Sequence, residues 1–201
     1  MKRFAVFLSY LLHPILSPLI SIYLLFQLPI YHNYRFSDSF FNFIYLSILI
    51  NLIFIPLLAS YYLKSKGMIQ SLKMERTQDR RIPFLLTAFL YFITYWFFES
   101  ISFPEFYLKI FLAATAVVMI LSALVFLNIK WSAHLSAMGG IIGMLVVVDQ
   151  TFNFNITILL IVLILLSGLL ASARLVLGAH RIHELAFGFL LGFGAQMLLL
   201  I

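Results

Sequence analysis

The fold class this sequence predicts is all-α: a polytopic transmembrane bundle of six to seven membrane helices. Three observations predict it. The 201 residues are 64% hydrophobic and 10% charged, whereas soluble domains run near ~45–50% apolar and ~25% charged. Mean hydropathy is +1.09, so lipid must solvate most of the surface. The apolar residues also fall in runs long enough for spanning helices, which need about 20. The runs carry none of the period-2 alternation of a membrane β-barrel.

Seven segments read as candidate spans: Phe4–Ile30, Phe40–Leu63, Ile82–Phe98, Phe106–Leu127, Leu135–Val148, Ile156–Leu177 and Leu185–Ile201. The first follows Met1-Lys2-Arg3 and resembles a signal peptide at its start. It is too long for one, contains Pro14 and Pro18, and has no small-residue cleavage site, so it is expected to be a retained helix. The fifth is the shortest and needs Trp131–Asp149 to span. Polar or Pro-bearing gaps separate the segments: His32–Ser39, Lys64–Arg81, Glu99–Glu105, Asn128–His134, Asp149–Asn155 and Gly178–Glu184. Tyr31, Tyr34, Tyr61, Tyr62, Trp96, Tyr107 and Trp131 sit near segment ends, where aromatic belts form. The whole chain, residues 1–201, reads as a single integral membrane domain.

Seven crossings sort the loops onto two faces. One face carries Lys2, Arg3, Lys64, Lys66, Lys73, Arg76, Arg80, Arg81, Lys130, Arg174 and Arg181; only Arg35 and Lys109 of the 13 basic residues fall on the other. The positive-inside rule puts the basic face in the cytoplasm. Net charge of +6 suggests nucleic acid, but the basic residues lie in short loops between apolar segments, so no nucleic-acid partner is expected. The absence of Cys excludes disulfides, thiolate chemistry and iron–sulfur ligation. The expected location is an integral position in a bacterial inner (cytoplasmic) membrane, with membrane lipids as neighbours.

Three polar clusters interrupt the apolar text on that basic face. The first runs from Lys73 to Pro83, the second is Trp131-Ser132-Ala133-His134, and the third runs from Arg174 to Glu184. Each is two crossings from the next, so all three can converge. Ionisable groups at a membrane boundary are costly and mark function. If the last helix begins near His180, His180 and Glu184 lie four residues apart on one face. A carboxylate there holds the imidazole in one tautomer and makes the other ring nitrogen a nucleophile. Arg174 is placed to grip an anion. Ser132 and His134 at a helix start also receive a helix N-terminus, a natural anion site. Lysine, arginines, a serine, two histidines and a carboxylate at one surface suit phosphoryl transfer: cations hold the phosphoryl oxygens, one His attacks phosphorus and another protonates the departing alkoxide.

Blander readings accompany each cluster. The Arg174–Glu184 group also fits a snorkelling helix end, Ser132 an N-cap followed by an interfacial His, and Lys73–Arg81 a positive-inside loop. His180-x2-His183-Glu184 contains plausible metal ligands without a third at good spacing. His13, before Pro14, reads as a polar group at a kink, and Asn51 and Asp149-Gln150 as interhelical or interfacial contacts. The glycines of the fifth and seventh segments (139, 140, 143, 188, 192, 194) read as close-packing faces.

The ordered clusters resemble the motifs of the type-2 phosphatidic acid phosphatases, whose soluble relatives are the vanadium haloperoxidases. That family reads K-x6-R-P, P-S-G-H and S-R-x5-H-x3-D; this chain offers Lys73-x6-Arg80, Ser132-Ala133-His134 and Arg174-x5-His180-x3-Glu184. The resemblance spans about Lys73 to Gly192, residues 73–192, behind N-terminal helices at 4–30 and 40–63. It implies a phosphohistidine intermediate on His180, with Glu184 orienting that ring and His134 as general acid. Lys73, Arg80, Ser132 and Arg174 would bind phosphate, with no metal and no cofactor. The implied substrate is a lipid or isoprenoid phosphate monoester or diphosphate. Departures are Arg81 where the family has Pro, with Pro83 two further on, so that Arg76 rivals Arg80. Trp131 replaces Pro, Ala133 replaces Gly, Ala173 replaces Ser and Glu184 replaces Asp. Family members have six helices and a site facing away from the cytoplasm, against seven and a cytoplasmic site expected here. Two further hypotheses stand beside this one: a catalytically weak or inactive relative that binds or transports lipid phosphates, and a Mg2+-dependent prenyltransferase, for which Asp38, Asp79 and Asp149 supply no paired acidic motif.

Overall fold

A computed structural model describes residues 2–28, 37–72, 74 and 76–201. Among these residues all regular structure is helical, and seven helical stretches are long and apolar enough to cross a membrane: Lys2–Gln27, Asp38–Ser65, Gln78–Ser100, Glu105–Phe126, Ala133–Phe152, Thr157–Val176 and Ile182–Leu200. The chain is an integral membrane protein of the all-helical, polytopic class. The spans match the seven apolar runs read from sequence; the short fifth run reaches 20 residues as Ala133–Phe152, so most of its added length lies from Asp149 onward and Trp131 stays outside the helix.

Two stretches depart from plain α-helix. The first is α1 (Lys2–Leu11), a 3-10 turn (Pro14–Leu16) and α2 (Ser17–Gln27). The break therefore falls at Pro14, while Pro18 sits in the first turn of α2, where a missing N–H costs nothing. The second is α3 (Asp38–Ile48), a π-helical turn (Leu49–Phe54) and α4 (Ile55–Ser65). Ile55 N–H bonds back to Ile50 rather than to Asn51. Pro56 follows at once. Its ring would clash with the carbonyl four residues earlier in a regular helix, and the wider turn relieves that clash.

The chain divides into two compact units, residues Pro18–Ile129 and residues Met1–Ser17 with Lys130–Ile201. In the first, α5 (Arg81–Ser100) and α6 (Glu105–Phe126) form an antiparallel pair. Ser102 takes a left-handed φ of 57° and Phe103 N–H returns to the Phe98 carbonyl at 3.0 Å, which closes α5. Phe98, Phe103, Tyr107 and Phe111 then pack ring to ring, with centroids 5.0–5.2 Å apart along Phe103–Phe98–Phe111 and 5.0 Å for Phe103–Tyr107. At the other end of the pair Arg81 donates to Asn128 Oδ1 at 3.2 Å and lies over the Phe126 ring.

The other unit joins α1 to α7 (Ala133–Phe152), α8 (Thr157–Val176) and α9 (Ile182–Leu200). Its core comprises Ala5, Leu8, Leu135, Met138, Leu170, Ala173 and Leu185, one or two from each helix. The α7–α9 crossing is the tightest. Gly139 and Gly143 on α7 abut the backbone of Phe189 and Phe193, and Gly188 and Gly192 on α9 abut Ser132 and Ser136. Lipid gives no hydrophobic push between helices, so close backbone approach must supply the attraction. Gly194 faces open space, so it does not share the packing role expected of it, whereas the Gly140 backbone nitrogen lies against Gly192, where a Cβ would stand 2.8 Å from it.

Candidate functional site

The second and third sequence clusters meet inside one unit. Three ties bring them together. Ser132 N–H donates to the Glu184 carbonyl at 3.0 Å. Trp131 stacks on Phe187, centroids 5.2 Å apart and planes 16° from parallel. Gly188 packs on the Ser132 main chain, where a Cβ would stand 2.6 Å from its carbonyl oxygen. Trp131 thus has a definite job: it fastens the start of α7 to the first turns of α9.

Ser132 is the N-cap of α7. Its Oγ accepts from Leu135 N–H at 3.4 Å, and its own carbonyl accepts from Ser136. The capping role is therefore present, and Ser132 is fully buried. Ala133, the first residue of α7, is half-buried beside it.

The turn from α8 to α9 sets Arg174 and His180. Gly178 adopts φ +61°, a left-handed conformation natural to glycine. Ala179 N–H donates to the Arg174 carbonyl at 3.0 Å, which ends α8 and directs the chain to His180. The helix α9 starts at Ile182, two residues after His180, where the sequence spacing places its start. His180 is thus outside the helix, yet the pair forms. Glu184 Oε2 reaches back to accept from Arg181 N–H at 3.1 Å, as a glutamate in the third helical position does. The same oxygen meets His180 Nδ1 at 2.9 Å. An ionised carboxylate only accepts, so Nδ1 carries a proton, and the neutral form of the ring keeps its lone pair on Nε2. The His180 side chain is 1% exposed and that of Glu184 17%, so the ring is dry while the carboxylate edge touches solvent. Lys130 acts electrostatically on Glu184.

His134, in the first turn of α7, places Nε2 3.2 Å from the Ser9 carbonyl of α1. Its ring stands edge-on to His13, centroids 5.3 Å apart. Arg174, His13 and His180 are all close enough to act on His134 electrostatically. Arg174 also acts on His13. The guanidinium is half-buried, and its Nε is buried with no hydrogen-bond acceptor among the described residues. One unit therefore gathers His134, Arg174, His180 and Glu184 with Ser132 behind them. It adds His13 and Ser9, which the sequence did not single out as site residues. The His13-Pro14 pair in mid-span was the only signal pointing to them.

The first cluster behaves differently. Lys73 lies outside the described residues. Arg80 belongs to the other unit, in a 3-10 turn (Gln78–Arg80), where it is buried and its Nε donates to the Met74 carbonyl at 2.8 Å. Asp79 Oδ1 accepts from Gln70 N–H at 3.3 Å, closing the same loop. Arg76 is exposed. His183 is exposed in the first turn of α9, and among the described residues no three His, Asp or Glu side chains group as metal ligands. No family model matches this chain, and no curated protein or solved structure shows a significant match.

Proposed function

We propose that this protein is a membrane phosphatase resembling the type-2 phosphatidic acid phosphatases, acting on a lipid or isoprenoid phosphate. The observation that carries the reading is the His180 Nδ1–Glu184 Oε2 contact at 2.9 Å, with Arg174 and His134 in the same unit. A carboxylate-held imidazole with its lone pair on the far nitrogen is an activated nucleophile.

In the proposed cycle His180 Nε2 attacks phosphorus and the P–O bond to the lipid alkoxide breaks. Protonated His134 gives that alkoxide its proton. Water then attacks the phosphohistidine, its proton passes to His134, and the N–P bond breaks to release inorganic phosphate. Arg174 offsets charge on the phosphoryl oxygens as the transition state forms. The sequence resemblance alone would name Lys73 and Arg80 as further phosphate ligands, and the proposed cycle does not depend on them. A lipid substrate suits helix ends at a membrane boundary, since its tail stays in lipid while its head meets the cations. The charge asymmetry of the loops supports a cytoplasm-facing site, with a bacterial cytoplasmic membrane as the proposed location.

One observation favours a second reading, a lipid-phosphate binder without turnover. The His180 side chain is 1% exposed and Ser132 is wholly buried, so a phosphoryl group reaches them only when the surrounding groups part. The deciding experiment measures phosphate release from a panel of lipid and prenyl phosphates in detergent with EDTA. Wild type is expected to turn over at least one member, and His180→Ala to lose about 10^4-fold or more in kcat with helicity unchanged. Retained turnover in the mutant removes His180 as nucleophile. Lipid binding without turnover in folded wild type establishes the binder.

A further inference from the structure

We infer that the break at Pro14 in the first span is a positioning device for His134: it frees the Ser9 carbonyl from the helix ladder and gives it to the His134 ring. In an unbroken helix Ser9 would accept from the N–H of His13, and Tyr10 from the N–H of residue 14. Pro14 has no N–H to give. His13 N–H turns instead to the Tyr10 carbonyl at 3.3 Å, while Leu12 still bonds Leu8 at 3.0 Å. The Ser9 carbonyl is thereby left without its helical donor. A buried carbonyl needs a partner, and His134 Nε2 stands 3.2 Å away. The Ser9 hydroxyl takes no part, since it donates to Ala5 within its own helix at 2.9 Å.

A carbonyl can only accept, so the tether fixes the His134 proton on Nε2 and puts the lone pair of the neutral ring on Nδ1. His13 holds the ring from the side. Its Nδ1 accepts from Ile15 N–H at 3.3 Å, which anchors its own orientation, and its edge-on contact with His134 opposes rotation of that ring. Ser9, His13 and Pro14 are positioning residues acting through His134. The catalytic consequence rests on the proposed phosphatase reading: Nδ1 is the atom that carries the proton to the leaving alkoxide and recovers it from water. The tether itself does not depend on that reading.

The test uses the full chain in detergent with 15N-labelled histidine, the His134 signals being assigned by their loss in His134→Asn. Neutral His134 is expected as the Nε2–H tautomer in wild type. Pro14→Ala restores the missing donor to Tyr10, returns His13 N–H to Ser9, and is expected to give His134 mixed tautomers. On whichever phosphate the wild type turns over, Pro14→Ala should lower kcat about 10- to 100-fold with KM within about twofold, the cost of a misplaced proton donor. Ser9→Ala keeps the carbonyl and should leave the tautomer unchanged. A wild-type His134 protonated on Nδ1, or a Pro14→Ala protein with an unaltered His134 spectrum, overturns the inference. The wild-type spectrum alone decides the tether if Pro14→Ala does not fold. A wild type that turns over no phosphate sinks the phosphatase reading, while the tautomer still decides the tether.

Discussion

Two buried or half-buried arginines, Arg80 and Arg174, show how differently the two units treat charge at a membrane boundary. Arg80 spends its Nε on the Met74 carbonyl, six residues back in its own loop. Arg174 ends a helix and acts on His13 and His134, more distant in sequence, while its Nε has no acceptor among the described residues. The first arrangement stabilises a local turn. The second places a cation where it acts on two histidines. Burying a donor without an acceptor costs about 1–3 kcal/mol, and Arg81 Nε bears the same cost in the other unit. The comparison teaches that basic residues of similar sequence context differ in reach: Arg80 Nε meets a carbonyl of its own loop, whereas Arg174 acts on groups brought in from elsewhere in the chain.

The largest expected effect comes from breaking the clamp that makes the second arrangement possible. Gly188→Ala would push a methyl against the Ser132 main chain, 2.6 Å from its oxygen and 3.1 Å from its nitrogen. Backbone cannot step aside as a side-chain tip does, so α7 and α9 must separate. Overpacking of this kind costs about 1–3 kcal/mol. The displacement of His134 relative to His180 should cost about 100-fold in kcat. Gly194→Ala, which meets open space, is the matched control and should change neither. Thermal unfolding and phosphate release on both variants check this. Equal behaviour of the two would show that the clamp is not what sets the site.

The arginine comparison itself is sharpened by paired lysine variants. Arg174→Lys keeps a charge but loses the planar fork that suits a phosphoryl group. Vanadate or phosphate should bind about 10-fold more weakly, with unfolding temperature almost unchanged. Arg80→Lys removes the Nε donor to Met74 and should destabilise by about 1 kcal/mol. A stability loss in Arg174→Lys equal to that in Arg80→Lys would erase the distinction.

Much of this was legible before the structure, for physical reasons. Lipid demands long uninterrupted apolar helices, so hydropathy alone located the seven spans within a few residues. The His180–Glu184 pair was legible because four-residue spacing is a local property. Its route was not: the helix starts at Ile182, and the pair closes only because glutamate in the third helical position folds back. The Ser9–His134 contact was out of reach. It joins residues 125 apart through a backbone carbonyl, which no side-chain pattern encodes. The π-turn at Leu49–Phe54 was likewise hidden, since Pro56 tells of a distortion without telling its kind.

The smallest expected effect tests that same glutamate. Glu184 Oε2 serves His180 Nδ1 at 2.9 Å and Arg181 N–H at 3.1 Å together. Aspartate, the residue of the resembling family, keeps the charge but is one methylene shorter. With α9 starting at Ile182, the shorter side chain holds either the cap or the imidazole, not both. Glu184→Asp should therefore lower kcat about three- to tenfold through a less well oriented His180. The cap bond to Arg181 N–H is then the one kept, so stability should change by less than the roughly 0.5–1 kcal/mol that losing a cap costs. Glu184→Gln has the full reach but no charge, so it should keep the cap and its stability while slowing turnover. A Glu184→Asp protein that is faster than wild type would mean that α9 can start earlier than Ile182. The reach of glutamate would then be no part of how this unit holds its nucleophile.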